Sequence, residues 1–273
     1  MPIHVITAPD KKEPTQNVLQ MVIDDMALPL DFEWLITDNL SNKSLNHLIK
    51  PAGLTLLAVW QNETLHLTIL QLNAQGKLIK TALDWHKLQR RIVTAGRKSE
   101  LILQASKLDA DKRVLDATAG FGQESLILAS TGANVMMLEC HPVMAMLLRI
   151  EQMRMDNEKN WQGLMSRLSI RYGDFLQMPF ADKRFDVVYL DPMFPDSSFD
   201  AKVGKGMQLL HEWTQPPSLS EEFALLDKAL SLADSSGKVI VKRPLSAPNL
   251  ASAEPSQTFA NDAIRFDIYK PLL

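Results

Sequence analysis

A short segment, Asp191-Pro192-Met193-Phe194, joins a carboxylate, a rigid proline and an aromatic ring directly after the apolar run Phe185–Leu190. These residue types suit chemistry at an exocyclic amine of a nucleobase, whose lone pair is delocalised into the ring and attacks poorly. The carboxylate of Asp191 and a backbone carbonyl stiffened by Pro192 can accept the two amine hydrogens, so that the nitrogen can rehybridise. Phe194 offers a face on which the base can stack. We therefore predict that Asp191, Pro192 and Phe194 are catalytic residues of an amine-modifying site.

A second segment, Arg113–Gly122, reads RVLDATAGFG and has the strand, glycine turn and helix order of a nucleotide-binding unit. Gly120 and Gly122 allow a sharp turn and let a ligand approach the backbone closely. Asp116 ends the strand, and Ser125 stands where a dinucleotide fingerprint has its third glycine. A carboxylate before the turn suits the ammonium of an amino acid, as in S-adenosylmethionine (SAM). The segment therefore predicts a SAM site that includes Asp116, Gly120 and Gly122.

Two further carboxylates follow the next predicted strands. Glu139 closes the run Asn134–Glu139 and lies nineteen positions after Gly120, where such folds bind a ribose diol. Asp174 follows the run Arg167–Tyr172 and can accept a hydrogen bond from an adenine amino group. Because parallel α/β sheets bind ligands at the carboxyl ends of their strands, we expect all of these groups at one edge of a sheet.

The elements that position these groups alternate between strand and helix along the second part of the chain. A helix beginning at Pro142, a helix over Glu221–Ala233 and a fifth strand over Lys238–Lys242 continue the alternation. Two runs around the turn Asn261-Asp262 predict an antiparallel hairpin at the sheet edge. We therefore predict an α/β fold in which residues 81–273 form a Rossmann-like, mostly parallel sheet with an antiparallel C-terminal hairpin.

Residues 1–80 have a different pattern. Strands are predicted over Ile3–Thr7, Leu54–Trp60 and Leu65–Leu70, and a helix is predicted over Thr15–Leu28, before Pro29. We interpret residues 1–80 as a small α+β N-terminal domain.

The segment that follows carries a surplus of positive charge. Residues 81 to 107 contain six Lys or Arg against two acidic residues, although the whole chain has a net charge of −3. A long helix, or a helix pair broken near Gly96, is predicted over Asp84–Lys107. Its cations could meet a phosphate backbone, or they could form a solvated helix face. The predicted RNA-binding cations of this segment are Arg90, Arg91, Arg97 and Lys98.

Composition limits the class of protein. The chain has 273 residues, of which 46% are hydrophobic, and it has no run near the roughly 20 apolar residues that a membrane span needs. Its first residues lack the basic and apolar regions of a signal peptide. The single cysteine, Cys140, excludes an internal disulfide and a cysteine-based zinc site. We therefore expect a cytoplasmic protein that requires no metal and has no membrane partner.

Four motifs together resemble the RsmJ family, bacterial SAM-dependent methyltransferases that modify guanine N2 near the 3′ end of small-subunit ribosomal RNA. The motifs are DATAGFG, DPMFP, VKRP at Val241–Pro244 and RFDIY at Arg265–Tyr269. The resemblance covers about residues 85 to 270. It implies a class I methyltransferase fold, SAM as cofactor, 16S ribosomal RNA or the small ribosomal subunit as partner, and transfer to guanine N2.

The resemblance also implies roles for individual residues. Gln123 and Glu124 would lie along the methionine part of SAM, where the family usually has Arg-Asp. Glu139 and Cys140 would meet the ribose and adenine, where Glu-Arg is usual. The other implied site residues are Gly173 and Asp174 beside the adenine, Asp191 at the methyl-transfer centre, and Lys242 and Arg243 at the RNA entrance.

Other functions stay open on the sequence alone. An amino-methyltransferase of another RNA, of DNA adenine or of a protein amide would need the same loop, although no dedicated DNA-recognition segment separates the catalytic motifs. A non-catalytic RNA-binding or ribosome assembly factor could retain the fold, but the intact Asp191, Pro192 and Phe194 argue against it. An NAD-dependent oxidoreductase is disfavoured because the third fingerprint glycine is missing.

Overall fold

The computed structural model of the chain describes residues 2–49, 53–73, 75–96, 98–180, 184–194 and 213–271. Arg97 and Pro195, which belong to the predicted RNA-binding set and to the DPMFP motif, lie outside the described residues. The strands in these ranges are β1 (Ile3–Thr7), β2 (Phe32–Ile36), β3 (Leu54–Gln61), β4 (Thr64–Leu72), β5 (Leu78–Thr81), β6 (Arg113–Asp116), β7 (Asn134–Glu139), β8 (Leu168–Tyr172), β9 (Phe185–Leu190), β10 (Ala233–Pro244), β11 (Gln257–Ala260) and β12 (Ile264–Tyr269).

The helices of the same ranges lie between these strands. They are α1 (Lys12–Met26), α2 (Asn42–Leu48), α3 (Gln89–Val93), α4 (Leu101–Ser106), α5 (Gln123–Ala129), α6 (Pro142–Asp156), α7 (Gln162–Met165) and α8 (Leu219–Leu232). Short 3₁₀ turns cover Pro9–Lys11, Trp85–Leu88 and Leu250–Ser252.

The first sheet has the order β2-β1-β3-β4-β5. Strand β1 pairs in parallel with β2 and β3, whereas β3, β4 and β5 form an antiparallel meander. Strands β1, β3 and β4 and helix α1 agree with the prediction, whereas β2, α2 and β5 are not predicted from the sequence. The missed elements are short: β2 is a half-exposed edge strand, and the seven-residue α2 depends on Ser41, whose hydroxyl accepts the N–H of Ser44 at 3.4 Å.

The second sheet has the order β11-β12-β10-β9-β6-β7-β8. Strands β10, β9, β6, β7 and β8 are parallel, and β12 and β11 are added antiparallel at one edge. This arrangement confirms the predicted mostly parallel sheet with an antiparallel C-terminal hairpin. Alternate strand residues pack on opposite faces: Val114 and Val187 lie in a cluster with α5 and α6, whereas Leu115 and Val188 lie in a cluster with α8.

Helix boundaries follow local capping. Helix α8 begins at Leu219, two residues before the predicted start, because Ser218 and Glu221 form a capping box. The N–H of Ser218 donates to Glu221 Oε2 at 2.7 Å, and the N–H of Glu221 donates to Ser218 Oγ at 3.4 Å. The basic segment contains the short helices α3 and α4, which confirms the helix pair broken near Gly96.

Trp85 connects the segment after β5 to the second sheet. It is 1% exposed. Its backbone N–H donates to Glu151 Oε1 of α6 at 2.7 Å, and its indole N–H donates to the carbonyl of Phe121 at 3.0 Å. One buried hydrophobic cluster includes Val5 and Leu67 of the first sheet together with residues of α6. The division into domains at residues 1–80 and 81–273 stays a prediction.

Candidate functional site

Five parallel strands end at one edge of the second sheet, in the spatial order β10, β9, β6, β7, β8. A cavity of about 420 Å³ lies at this edge. It gathers side chains that are far apart in the sequence, as expected for a parallel sheet. The sequence-predicted residues that line it are Asp116, Gly120, Gln123, Glu124, Glu139, Cys140, Asp174, Asp191, Pro192, Phe194, Lys242 and Arg243.

The turn after β6 is held by Asp116, which is 1% exposed. Its Oδ1 accepts the backbone N–H of Thr118 at 3.1 Å, and its Oδ2 accepts the hydroxyl of Ser125 at 2.6 Å. Burial raises the pKa of Asp116 to about 7, and the two hydrogen bonds oppose the rise. The hydrogen bonds of the Asp116 carboxyl therefore fix the turn. Because its pKa is about 7, the charge of Asp116 at the cavity changes near neutral pH.

The two glycines of the turn have different surroundings. Both have left-handed backbone, with φ of 51° at Gly120 and 73° at Gly122. Gly120 lines the cavity. Gly122 faces the core instead, because a Cβ there would stand 3.2 Å from the side chains of Trp85 and Leu148. Gly122 therefore lets the turn pack onto the core, whereas Gly120 leaves the backbone open to a ligand.

Glu139 joins the glycine turn to the end of β7. Its Oε2 accepts the N–H of Gly120 at 2.9 Å, and its Oε1 accepts the N–H of His141 at 2.8 Å. Burial raises the pKa of Glu139, and these hydrogen bonds oppose the rise. Each carboxylate oxygen has two lone pairs, so that Glu139 can still accept a hydrogen bond from a ligand hydroxyl. The neighbouring Cys140 is exposed and lines the same cavity.

Asp174 lies after β8, at the far end of the row of strand ends. It is exposed, and its Oδ1 accepts the N–H of Leu176 at 2.7 Å. Gly173 has φ of 155°, and a Cβ at this position would collide with the side chain of Met178. Gly173 therefore shapes the loop that carries Asp174 and does not itself face the cavity.

Asp191 follows β9 and lies beside the glycine turn. Its backbone N–H donates to Thr118 Oγ1 at 2.6 Å. Lys242 Nζ lies 2.8 Å from Asp191 Oδ2 and 3.1 Å from Glu124 Oε1. Burial raises the pKa of Asp191, and the charge of Lys242 opposes the rise. Burial would lower the pKa of Lys242, but the charges of Asp191 and Glu124 outweigh burial and raise it.

Phe194 and Arg243 form a second pair at the same edge. The guanidinium carbon of Arg243 lies 4.5 Å from the centroid of the Phe194 ring, a cation–π contact. Arg243 is 2% exposed, and it binds Glu222 Oε1 at 3.2 Å and the carbonyl of Pro248 at 2.9 Å. Pro192 is buried. The Phe194 ring is therefore held against a buried, doubly bound cation.

Two residues of the site were not predicted. Tyr189 lines the cavity, and its hydroxyl is buried with no hydrogen-bond partner among the described residues. Burial raises the pKa of Tyr189 well above its ordinary value. A signal existed, because Tyr189 lies two positions before Asp191. Thr118 binds the two loops together and follows Asp116 by two positions, the spacing of an Asx turn.

The predicted RNA-binding cations of the basic segment lie elsewhere. Arg90 and Lys98 are exposed. Arg91 is half-buried and binds both oxygens of Glu100 at 2.8 Å. In the part of this segment that the structure describes, none of these cations lines the cavity. Any contact that they make with RNA would therefore lie outside the cavity itself.

The chemistry of the lining fits the predicted cofactor. Among the described residues, six carboxylates and two cations line the cavity, so that positively charged groups and hydrogen-bond donors are favoured there. SAM carries an ammonium, a sulfonium, ribose hydroxyls and an adenine amine. Three strand spacings separate β9 from β8, about 14 Å, which suits an extended nucleoside joined to an amino acid. The carboxylates of the lining are Asp116, Glu124, Glu139, Asp174, Asp191 and Glu221.

In the described part of the chain, no helix combines the length and apolar character needed to cross a bilayer. No group of three His, Cys, Asp or Glu side chains in the described ranges is arranged to hold a metal ion.

Comparisons with known proteins agree with the geometry. Residues 42–271 match a family model described as "Putative SAM-dependent methyltransferase". The chain is 51% identical over 228 residues to the ribosomal RNA small subunit methyltransferase J of Psychrobacter arcticus, an alignment that covers 74% of this chain and 77% of that protein. It is 37% identical over 212 residues to the protein of the same name from Acinetobacter baumannii, covering 73% and 74%.

A solved structure supports the fold over nearly the whole chain. The crystal structure of a SAM-dependent methyltransferase from Neisseria gonorrhoeae superposes with a TM-score of 0.69 and 25% sequence identity. The superposition covers 98% of this chain and 96% of the other.

Proposed function

The chain belongs to the ribosomal RNA small subunit methyltransferase J family of SAM-dependent methyltransferases, and we propose that it transfers a methyl group from SAM to the exocyclic N2 of a guanine in 16S ribosomal RNA. The relatives bear the name of small-subunit ribosomal RNA enzymes. The choice of guanine N2 rests on the resemblance of the sequence motifs and on the chemistry of the DPMF loop.

One observation carries this proposal. The loop with Asp191 and Phe194 opens into the same cavity as the glycine turn and Glu139. The hydrogen bond from the Asp191 N–H to Thr118 Oγ1, 2.6 Å long, ties the two loops together. A cofactor and an aromatic amine bound to these loops would therefore meet within one cavity, as a bimolecular transfer requires.

The residues of the loop suit an amine that attacks poorly. We assign the Asp191 carboxylate and the carbonyl of Pro192 as acceptors for the two N2 hydrogens, so that the nitrogen lone pair can form the new N–C bond. SAM supplies the methyl group on a sulfonium, and the electron pair of the broken C–S bond stays with sulfur. The proton that N2 loses passes to Asp191 or to water. Phe194 stacks on the guanine, which must be unstacked from any helix to enter.

The cofactor residues of the proposal follow the row of strand ends. Glu139 would accept a hydrogen bond from the ribose, and Asp174 would accept one from the adenine amine. Gln123 and Glu124, at the start of α5, would lie along the methionine part. The exposed Arg90 and Lys98 are proposed to meet RNA phosphates outside the cavity.

The test is a methyl-transfer assay with SAM labelled in its methyl group and small ribosomal subunits from a strain that lacks the enzyme. Mass spectrometry of the nucleosides should find the label on guanine N2 at one site. Asp191→Asn should abolish transfer while SAM affinity stays within about tenfold, because Asp191 acts mainly in the transition state. If the label is found on another nucleoside, on DNA or on protein, the proposed substrate is wrong. If the protein binds SAM but transfers no methyl group, a non-catalytic factor is favoured.

A further inference from the structure

Two consecutive cations, Lys242 and Arg243, lie near the end of strand β10 beside the loop that carries Asp191 and Phe194. Strands β10 and β9 are parallel, and Val241 pairs with Leu190. The next residues along the two strands, Lys242 and Asp191, therefore lie side by side, where β9 ends and Lys242 still pairs with Phe266 of β12. Because neighbouring residues of a strand point to opposite faces, Lys242 and Arg243 reach different layers of the fold.

Lys242 points to the face covered by α5. Its Nζ lies 2.8 Å from Asp191 Oδ2 and 3.1 Å from Glu124 Oε1, and its side chain is 18% exposed. A contact between this ammonium and an RNA phosphate would have to compete with both carboxylates. If the ammonium moved away to a phosphate, the carboxylates of Asp191 and Glu124 would be left without their cation in a largely buried site.

Arg243 points to the opposite face, which α8 covers. Its guanidinium binds Glu222 of α8 at 3.2 Å and the carbonyl of Pro248 at 2.9 Å, and its central carbon lies 4.5 Å from the Phe194 ring centroid. The residue is 2% exposed. Its donors are therefore directed into the protein, and it supports the ring of Phe194 from one face.

We propose that Lys242 and Arg243 are positioning residues for methyl transfer, Lys242 for the carboxylate of Asp191 and Arg243 for the ring of Phe194, rather than contacts to RNA phosphate. This inference rests on the proposed function. Lys242 engages one oxygen, Oδ2, so that Oδ1 is the acceptor assigned to the amine hydrogen. Arg243 contacts the Phe194 ring. Phe194 is 7% exposed and lines the cavity, and we assign the opposite face of the ring to the base.

A pH profile separates this role from simple structural support. In the part of the chain that the structure describes, the charged and titratable groups that act on Asp191 are Lys242 of β10, Glu124 of α5, Tyr189 of β9 and Asp116 of β6. Lys242 is the sole cation among these four groups. Removing it leaves the Asp191 carboxylate beside Glu124, so that protonation of Asp191 becomes easier. Because the reaction needs ionised Asp191, the acidic limb of the kcat profile should move to higher pH.

The experiment compares wild type, Lys242→Met, Lys242→Arg and Arg243→Lys, with the exposed Lys270→Met as a control for the loss of one positive charge. Single-turnover methylation of small subunits is measured from pH 6 to 9.5, SAM affinity by calorimetry, and RNA affinity as a function of salt. Lys242→Met should lower the rate at pH 7 at least about tenfold and move the acidic limb up by about one pH unit or more. In Lys242→Arg, which keeps the positive charge, the acidic limb of the pH–rate profile should stay at its wild-type position.

Binding data complete the test. The salt slope of RNA binding should stay at the wild-type value in Lys242→Met, whereas loss of a phosphate contact would reduce it by about 1. Arg243→Lys keeps the charge but loses the planar guanidinium, so the rate should fall while RNA affinity is retained. If Lys242→Met does not fold, the same change in an Asp191→Asn background removes the carboxylate partner as well. In that background the salt slope of RNA binding should again stay at the wild-type value, and a slope reduced by about 1 would overturn the inference.

The outcomes are distinguishable. A reduced salt slope with an unchanged pH profile would overturn the inference and make these cations phosphate ligands. An unchanged rate in both Lys242→Met and Arg243→Lys would overturn it as well. Wild-type protein that binds SAM and RNA but transfers no methyl group would instead refute the proposed function.

Discussion

Replacing Asp116 with Asn tests the buried carboxyl beneath the glycine turn, because Asn keeps the shape of the side chain and is neutral at every pH. Burial raises the pKa of Asp116 from 3.8 to about 7. Each pKa unit corresponds to about 1.36 kcal/mol, so a rise of about three units corresponds to roughly 4 kcal/mol. The folded state therefore tolerates the ionised form less well than the unfolded state does.

The sign of the pH dependence follows from proton binding. Between about pH 4 and pH 7 the folded protein holds a proton on Asp116 that the unfolded chain has released. The contribution of Asp116 to the free energy of unfolding therefore falls as pH rises through this window, and the loss is complete above about pH 7. Asn has no such dependence. Its amide oxygen can accept the N–H of Thr118, and its amide can donate to the hydroxyl oxygen of Ser125.

We expect Asp116→Asn to be within about 1 kcal/mol of wild type at pH 4 and to be more stable at pH 8 by about 1–4 kcal/mol, with roughly 4 kcal/mol as the ceiling. Urea unfolding of both proteins from pH 4 to 8 measures this difference, and the exposed Asp38→Asn is the matched control. If the ionised carboxylate attracts the ammonium of SAM, calorimetry at pH 8 should show weaker SAM binding by the more stable variant.

Two results would refute this reasoning. Unfolding free energies that run parallel with pH in wild type and Asp116→Asn would mean that Asp116 does not titrate in this window. A variant that is less stable than wild type at pH 8, by the 1.5–3 kcal/mol typical of a lost hydrogen bond to a charge, would mean that the ionised form is favoured in the folded state.

Three other changes probe the site and its surroundings. Glu139→Ala should weaken SAM binding by about 1.5–3 kcal/mol. The exposed Glu254→Ala is the control, and equal SAM affinities of the two variants by calorimetry would contradict the ribose assignment. Gly122→Ala should lower the free energy of unfolding by about 1–3 kcal/mol, because φ is 73° and the new Cβ would crowd Trp85; an unchanged urea midpoint would show that the turn adapts freely. Arg90→Glu should weaken RNA binding and flatten its salt dependence. Filter binding over a salt series measures both quantities, and if neither changes, the helix face that carries Arg90 is only solvated.

Most strands of the second sheet could be predicted from the sequence, because the apolar runs that indicate them are local features. The run Asn134–Glu139 is apolar and ends in a carboxylate, and the structure has β7 over these same residues. The run Phe185–Leu190 likewise coincides with β9. Strands buried on both faces read as short apolar segments, and the rule that ligands bind at the carboxyl ends then brings Asp116, Glu139 and Asp191 to one edge.

Side-chain partners were beyond the reach of the sequence. Nothing local indicates that Lys242 turns toward Asp191, because the contact depends on the register of β9 and β10. The sequence of the basic segment likewise does not indicate that Arg91 binds Glu100 while Arg90 faces solvent. The edge strand β2 was missed for a related reason: half-exposed strands lack a clear apolar pattern.

The double attachment of Trp85 limits how this protein can be recombined with its relatives. Its backbone binds Glu151, its indole binds the carbonyl of Phe121, and its ring packs against Gly122. A chimaera that takes its amino-terminal sheet from a homologue would keep these attachments if the crossover fell upstream of residue 84. With a crossover a few residues later, it would keep them only if the homologue also had tryptophan at this position. Any other residue there would remove the indole hydrogen bond to Phe121 and the packing against Gly122 that support the glycine turn, and we would expect weaker SAM binding although no residue lining the cavity had been exchanged.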